Sequence, residues 1–283
     1  MRNTLALSII FLVLVGCGSA EENNASVADS CPPPDSITPQ DCVLEMHVSS
    51  REAMLKVCNS PCTIIKGSIV ISATDNIEDA SIFSRIKKID GMLSIDAYDG
   101  PFKSTKGFDN LKEVTGQLTI NSTLSLDAIE GFPELETVGS DINFYANRNV
   151  KVIRGFRKLK QFAHPLGFDG MKIHEHSSLE TIDAFDSVER GRAVNIYQNK
   201  NLKEIKGFHS LKTTRNLQIT TNPLLETIDG FEALEEVTKR FSISGNTMLP
   251  DCVAEAIASR VPETPELFTE QNNPTCPDGA VGP

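Results

Sequence analysis

Asn216-Leu-Gln-Ile-Thr-Thr-Asn-Pro-Leu-Leu-Glu-Thr-Ile-Asp-Gly-Phe-Glu-Ala-Leu-Glu-Glu-Val237 is the stretch that decides how this chain folds. Its apolar columns are Leu217, Ile219, Leu225, Ile228, Phe231, Leu234 and Val237. Ile142, Phe144, Val150, Ile153, Phe156, Leu159 and Phe162 fill the same columns upstream. Leu-x-Ile alternates, which reads as a short strand with two side chains on one face. Gly-Phe punctuates each copy at Gly107-Phe108, Gly131-Phe132, Gly155-Phe156, Gly207-Phe208 and Gly230-Phe231, with Ala184-Phe185 as a variant. The Phe spacings are 24, 24, 29, 23 and 23 residues. A period in this range is the mark of a solenoid. Weaker copies begin at Gly67 and Gly91, and a last strand is expected at Phe241 to Ile243, so 67–250 reads as about eight rungs.

One rung cannot bury its own apolar face, but stacked rungs can. Three residues after the inward Ile or Phe stands Asn147, Asn199, Asn222 or Asn246, with His176 in the same column. A buried Asn satisfies backbone groups at a bend, and stacking lets each amide bond the next. The six Phe are expected to stack as a spine. The open ends need caps. Ser49 and Glu52 are spaced as a capping box for a helix over 49–58. Pro250-Asp251 starts a second helix, 252–260, stopped by Pro262, within a C-terminal cap and tail at 251–283.

Six cysteines, Cys31, Cys42, Cys58, Cys62, Cys252 and Cys276, cluster at the two ends and read as three disulfides. Spacing leaves the N-terminal pairings open within a cap at 42–66. Cys252–Cys276 is expected because both follow the Cys-free stretch 63–251. A metal knuckle at Cys58-x3-Cys62 lacks a second ligand pair, and no metal or cofactor is expected.

The repeat motifs Gly116-Gln-Leu-Thr-Ile120, Asn199-Lys-Asn-Leu202 and Ile228-Asp-Gly-Phe231 resemble the receptor L domain, the leucine-rich β-helical module of growth-factor receptor ectodomains that also occurs in bacterial lipoproteins. The resemblance implies a mainly β fold, a single-chain right-handed β-helix, and a binding role. There is one such array and no Cys-rich module between two, so a receptor's mode of ligand binding does not carry over.

The N-terminus reads as an address. Arg2 precedes an apolar run, Leu5 to Val15, too short to span a bilayer and suited to a signal peptide. It ends in Leu14-Val15-Gly16-Cys17, which resembles the bacterial lipobox. On that reading 1–16 is removed, Cys17 takes the lipid, palmitate included, and 17–41 is a polar tether. The other reading is an ordinary secretory signal cleaved near Ala20. Gly18 after Cys17 lacks the Asp-type inner-membrane retention signal, so a lipid-anchored place in the bacterial cell envelope, at the outer membrane, is expected.

With 38 acids against 27 bases the net charge is −11, which argues against nucleic acid. No Gly-x-Ser-x-Gly elbow, Walker loop or Gly-x-Gly-x-x-Gly is present, so no enzyme and no catalytic residue is expected. Outward positions flanking the inward Ile place Tyr145, His174 and Tyr197 in one row, flanked by Asn143, Lys172 and Asn195. Tyr suits contact surfaces, so this row is the candidate binding face for a protein or glycan ligand. The long spacing places extra residues at 161–170 beside it. His164, His174 and His176 with Asp169 raise zinc, but His176 occupies the Asn column. The function expected is a surface-tethered recognition lipoprotein. A structural envelope protein and, more remotely, a polysaccharide-acting β-helix enzyme are the alternatives.

Overall fold

The computed structural model describes residue 27 and residues 30–72, 77–162 and 170–276. It is a mainly β, parallel solenoid of about nine turns, with two short α-helices among the described residues. Each turn contributes strands to three columns. The first holds Gln40–Glu45, Cys62–Lys66, Lys88–Asp90, Glu113–Val114, Thr137–Val138 and Gln161–Phe162. The second holds Ile69–Ser72, Leu93–Asp96, Leu118–Asn121, Ile142–Tyr145 and Met171–His174. Three later strands, Arg190–Tyr197, Thr213–Thr220 and Glu236–Ser244, run through both columns without a break, which joins them into one sheet. Ala128–Ile129, Val152–Gly155, Thr181–Ala184, Glu204–Lys206 and Thr227–Asp229 form the third column as a separate sheet.

The expected fold is borne out, with one turn more than eight. The addition is Glu266–Phe268, which pairs in parallel with Arg240–Ser242. The sheet also starts before 67, because Gln40–Glu45 pairs with Cys62–Lys66. Both caps therefore continue the ladder as well as cover it.

Inward alternation fills the core. Leu118, Ile120, Ile142, Phe144, Met171, Ile173, Val194, Ile196, Leu217 and Ile219 are all fully buried. The Phe spine has seven members, since Phe83 stacks below Phe108. Successive ring centroids are 5.0–5.4 Å apart from Phe83 to Phe231. The turn before each ring is tight. A Cβ on Gly207 or Gly230 would lie within 2 Å of a carbonyl oxygen of the preceding rung, and both glycines have positive φ.

The disulfides are Cys31–Cys58, Cys42–Cys62 and Cys252–Cys276. Cys42–Cys62 links the first two strands, and Cys31–Cys58 ties the preceding segment to helix α1 (Arg51–Cys58). The helix cap differs from expectation by one residue. Ser50, not Ser49, is the N-cap, in an extended conformation with its hydroxyl accepting from Ala53 N–H. Glu52 pairs with Lys56 at 2.8 Å, so the capping box is not closed. Helix α2 spans Asp251–Ala258. The signal segment 1–16 and Cys17 lie outside the described residues, as do 18–26, 28 and 29 of the tether.

Emptying the spine should unfold the array. Phe156→Ala and Phe208→Ala, each removing a ring stacked on both sides, are expected to cost about 3–5 kcal/mol in denaturant unfolding. Glu180→Ala breaks only an exposed pair with Lys203 and should cost less than about 0.5 kcal/mol. Equal, small effects would mean that the rings do not hold the core.

Candidate functional site

The outward columns are built by strand register. Asn143, Lys172, Asn195 and Gln218 are partners in neighbouring strands, and two residues along so are Tyr145, His174, Tyr197 and Thr220. The three rings stack: Tyr145 on His174 with centroids 4.7 Å apart, and His174 on Tyr197 at 4.6 Å. That separation is the inter-strand spacing itself, so the sheet sets the stack.

The row is less open than alternation alone suggests. Each ring covers its neighbour, so the His174 side chain is only 12% exposed and both Tyr are half-buried. Asn195 is buried, and its amide oxygen accepts a hydrogen bond from Gln218 Nε2 at 2.7 Å. It is a support under the row, not a contact on it. His174 Nε2 lies 3.3 Å from Asn143 Oδ1, and its Nδ1 lies 3.5 Å from the Glu175 carboxylate. Burial pushes the His174 imidazole below its ordinary pKa, Glu175 pulls it back, and Lys172 adds to the fall. Beside the stack runs a groove of about 620 Å³ whose lining includes Tyr145, Arg148, Glu175, Gln198, Lys200 and Thr221.

Directly after the stack the chain turns through left-handed residues. Ser122, Ala146, Glu175, Gln198 and Thr221 have φ between 52° and 58°, and none of them is glycine in these five successive rungs. Each turn delivers the next side chain into the buried Asn column. Backbone N–H groups of Thr123, His176, Asn199, Asn222 and Asn246 donate to the side-chain oxygens of Asn147, Asn199, Asn222, Asn246 and Asn272. Each Asn amide also donates back to a strand carbonyl of the preceding rung, at Ile120, Ile173, Ile196, Ile219 or Ile243. Asn272 was not expected in this column, since the final rung carries no Leu-x-Ile to set its register.

His176 stands in the ladder and not in a metal site. Its Nε2 is 3.2 Å from the Phe144 carbonyl, in the column the Asn amides use, and its Nδ1 is 3.3 Å from the Asn147 carbonyl. A neutral ring donates through one nitrogen only. Burial nevertheless outweighs both carbonyls and holds the pKa at about 4. His164 and Asp169 lie outside the described residues. Among the described residues, His209, Asp229 and Glu232 are the set whose ligand atoms lie within 4.8 Å of one another, and all three are exposed. His209 Nδ1 is already bonded to Glu232 at 2.8 Å, and Asp186 faces its Nε2, which raises its pKa as expected of a surface ion-pair cluster.

The family model for the receptor L domain matches residues 61–112. With the solenoid, this makes the chain receptor L-domain-like and points to ligand binding, the role of a non-catalytic family of modules. No curated protein and no solved structure matches the chain. The ring row lies outside the matched segment, so its reading rests on this chain's own geometry.

His176 gives the ladder an acid limit. Its pKa is near 4 folded and 6.5 as an unperturbed group, so below pH 6.5 the unfolded chain binds the extra proton. Stability from this group is complete above that pH, falls as pH drops from 6.5 to 4, and is level below. The loss should approach about 3 kcal/mol. His176→Asn, whose amide oxygen would accept the Asn147 N–H, should flatten that slope in unfolding measured at pH 7 and pH 4.5. An unchanged slope would assign the acid lability to other groups.

Proposed function

We propose that this chain is a lipid-anchored recognition protein of the bacterial cell envelope, held at the outer membrane through Cys17 and without catalytic activity. Its ligand, a protein or glycan, docks on the face centred on Tyr145, His174 and Tyr197. The observation that carries this reading is the in-register ring stack at mid-array. Three stacked rings fixed by a sheet, the two Tyr half-exposed, present contact area with little conformational freedom left to lose on binding. Asn143 and Lys172 lie on the same face, and the Arg148–Lys200 groove adjoins it.

Support for the anchor comes from the N-terminal sequence alone, where the apolar run, Gly16 and Cys17 follow in lipobox order. No helix among the described residues is long and apolar enough to cross a membrane; on this reading the acyl chains on Cys17 supply the attachment.

Two experiments test it. Cys17→Ala should move the protein from the membrane fraction to the soluble one and remove the acyl mass, and unchanged retention and mass would overturn the anchor. Tyr145→Ser combined with Tyr197→Ser should weaken capture of the partner from envelope extract by at least about 2 kcal/mol, a hot-spot loss. The stack contributes to stability on the scale of aromatic pairs, about 1 kcal/mol each, so the variant should stay folded. Full capture by a folded double variant would show that the face is wrong.

A further inference from the structure

A second groove, of about 820 Å³, runs along the corner between the first and second strand columns. Its lining takes residues from six successive rungs, from Glu113–Thr115 to Glu236–Thr238. Five strand spacings make it roughly 24 Å long. The floor is apolar but closed: Val114, Val138 and Phe162 are at most 1% exposed. Gly191 keeps the floor flat, since a Cβ there would lie 2.3 Å from the Phe162 ring.

Arg190, Arg192 and Arg215 line the fourth and fifth of these rungs, and Glu236 lies on the sixth. Arg192 and Arg215 sit on adjacent strands between the partner pairs Gly191–Thr214 and Ala193–Asn216. Arg190 and Arg215 have no ion-pair partner among the described residues. Of the two acids in the lining, Glu113 stands at the far end and is already paired with Lys88 at 2.9 Å. The two unpaired arginines belong to a chain of net charge −11.

We propose that this corner groove is a binding site for an extended, carboxylate-bearing polysaccharide, with acid groups of the glycan seated on Arg190 and Arg215. Guanidinium groups recognise carboxylates through paired hydrogen bonds. Gln161, Thr137 and Thr213 supply polar groups along the remaining length, suited to sugar hydroxyls. A peptide would want open apolar pockets for anchor side chains, and the apolar floor is closed. A nucleic acid strand would want an aromatic platform, and the one ring of the lining, Phe162, is buried. The site is distinct in its residues from the Tyr145–His174–Tyr197 face and does not depend on it.

The test is calorimetric titration of the full-length protein with oligogalacturonate. Binding should weaken as salt rises, and the fully methyl-esterified oligomer should bind at least about tenfold more weakly, the scale of a lost charge-assisted hydrogen bond. Arg190→Gln combined with Arg215→Gln should bring a similar loss while circular dichroism and melting stay native. Tyr145→Ser with Tyr197→Ser should leave this binding unchanged, which separates the groove from the ring face. The proposal is overturned if oligogalacturonate does not bind. It is equally overturned if the methyl ester, poly-glutamate or single-stranded DNA binds as tightly, or if the Tyr variant abolishes binding and the Arg variant does not.

Discussion

The buried amide ladder is the constraint on which this solenoid depends. At the end of five successive second-column strands, from Leu118–Asn121 to Thr213–Thr220, the chain bends through a left-handed residue that is not glycine, at a cost on the order of 1 kcal/mol per rung. The bend turns backbone donors and acceptors inward, where an unmatched group costs about 1–3 kcal/mol. A single turn has no means of satisfying them. The next Asn does so with its oxygen on one backbone N–H and its nitrogen on a carbonyl of the preceding rung. Every bend is therefore stable only with its neighbour in place. The same bonds lock the vertical register, and in a parallel stack a fixed register turns each outward position into a column.

The ring row follows from that lock. Tyr145, His174 and Tyr197 stack because three rungs are held at one register, one strand spacing apart. The Phe spine repeats the arrangement inside, at 5.0–5.4 Å. Phe156, Phe185, Phe208 and Phe231 have positive φ as well, so strain at the second bend is held by stacked rings where strain at the first is held by amides. The bend after the third-column sheet buries its stack for stability, and the outward face of the second column leaves its stack half open.

Much of this was legible in the sequence because the signals were periodic: inward Leu-x-Ile, Gly-Phe, the Asn three residues later, and strand parity for the outward columns. What failed was whatever depends on lateral packing. Parity marked Asn195 as outward, but Gln218 covers it. Phe83 joins the spine without the Gly-Phe signature, and Asn272 joins the ladder from a rung with no Leu-x-Ile. Ser49 and Ser50 both fit a cap by composition, and only backbone geometry separates them.

The arginine groove had a signal too, in the drop of Phe spacing from 24 to 23 residues after the irregular rung. In the earlier rungs four residues separate the aligned corner positions, as from Val138 to Ile142, whereas from Gly191 to Val194 and from Thr214 to Leu217 there are three. A single strand runs through the shortened corner in these two rungs, and Glu236–Ser244 also runs through, with its extra residue taken up as a register shift. Arg190 and Arg192 stand at the start of the first such strand, and Arg215 near the start of the next. Between Phe162 and Met171 the same corner takes nine residues. Tyr197 of the ring stack and the arginines Arg190 and Arg192 stand at opposite ends of the first strand that runs through the corner. A regular array would present the same columns along its whole length. The change of path is what gives the middle of this one two chemically different surfaces.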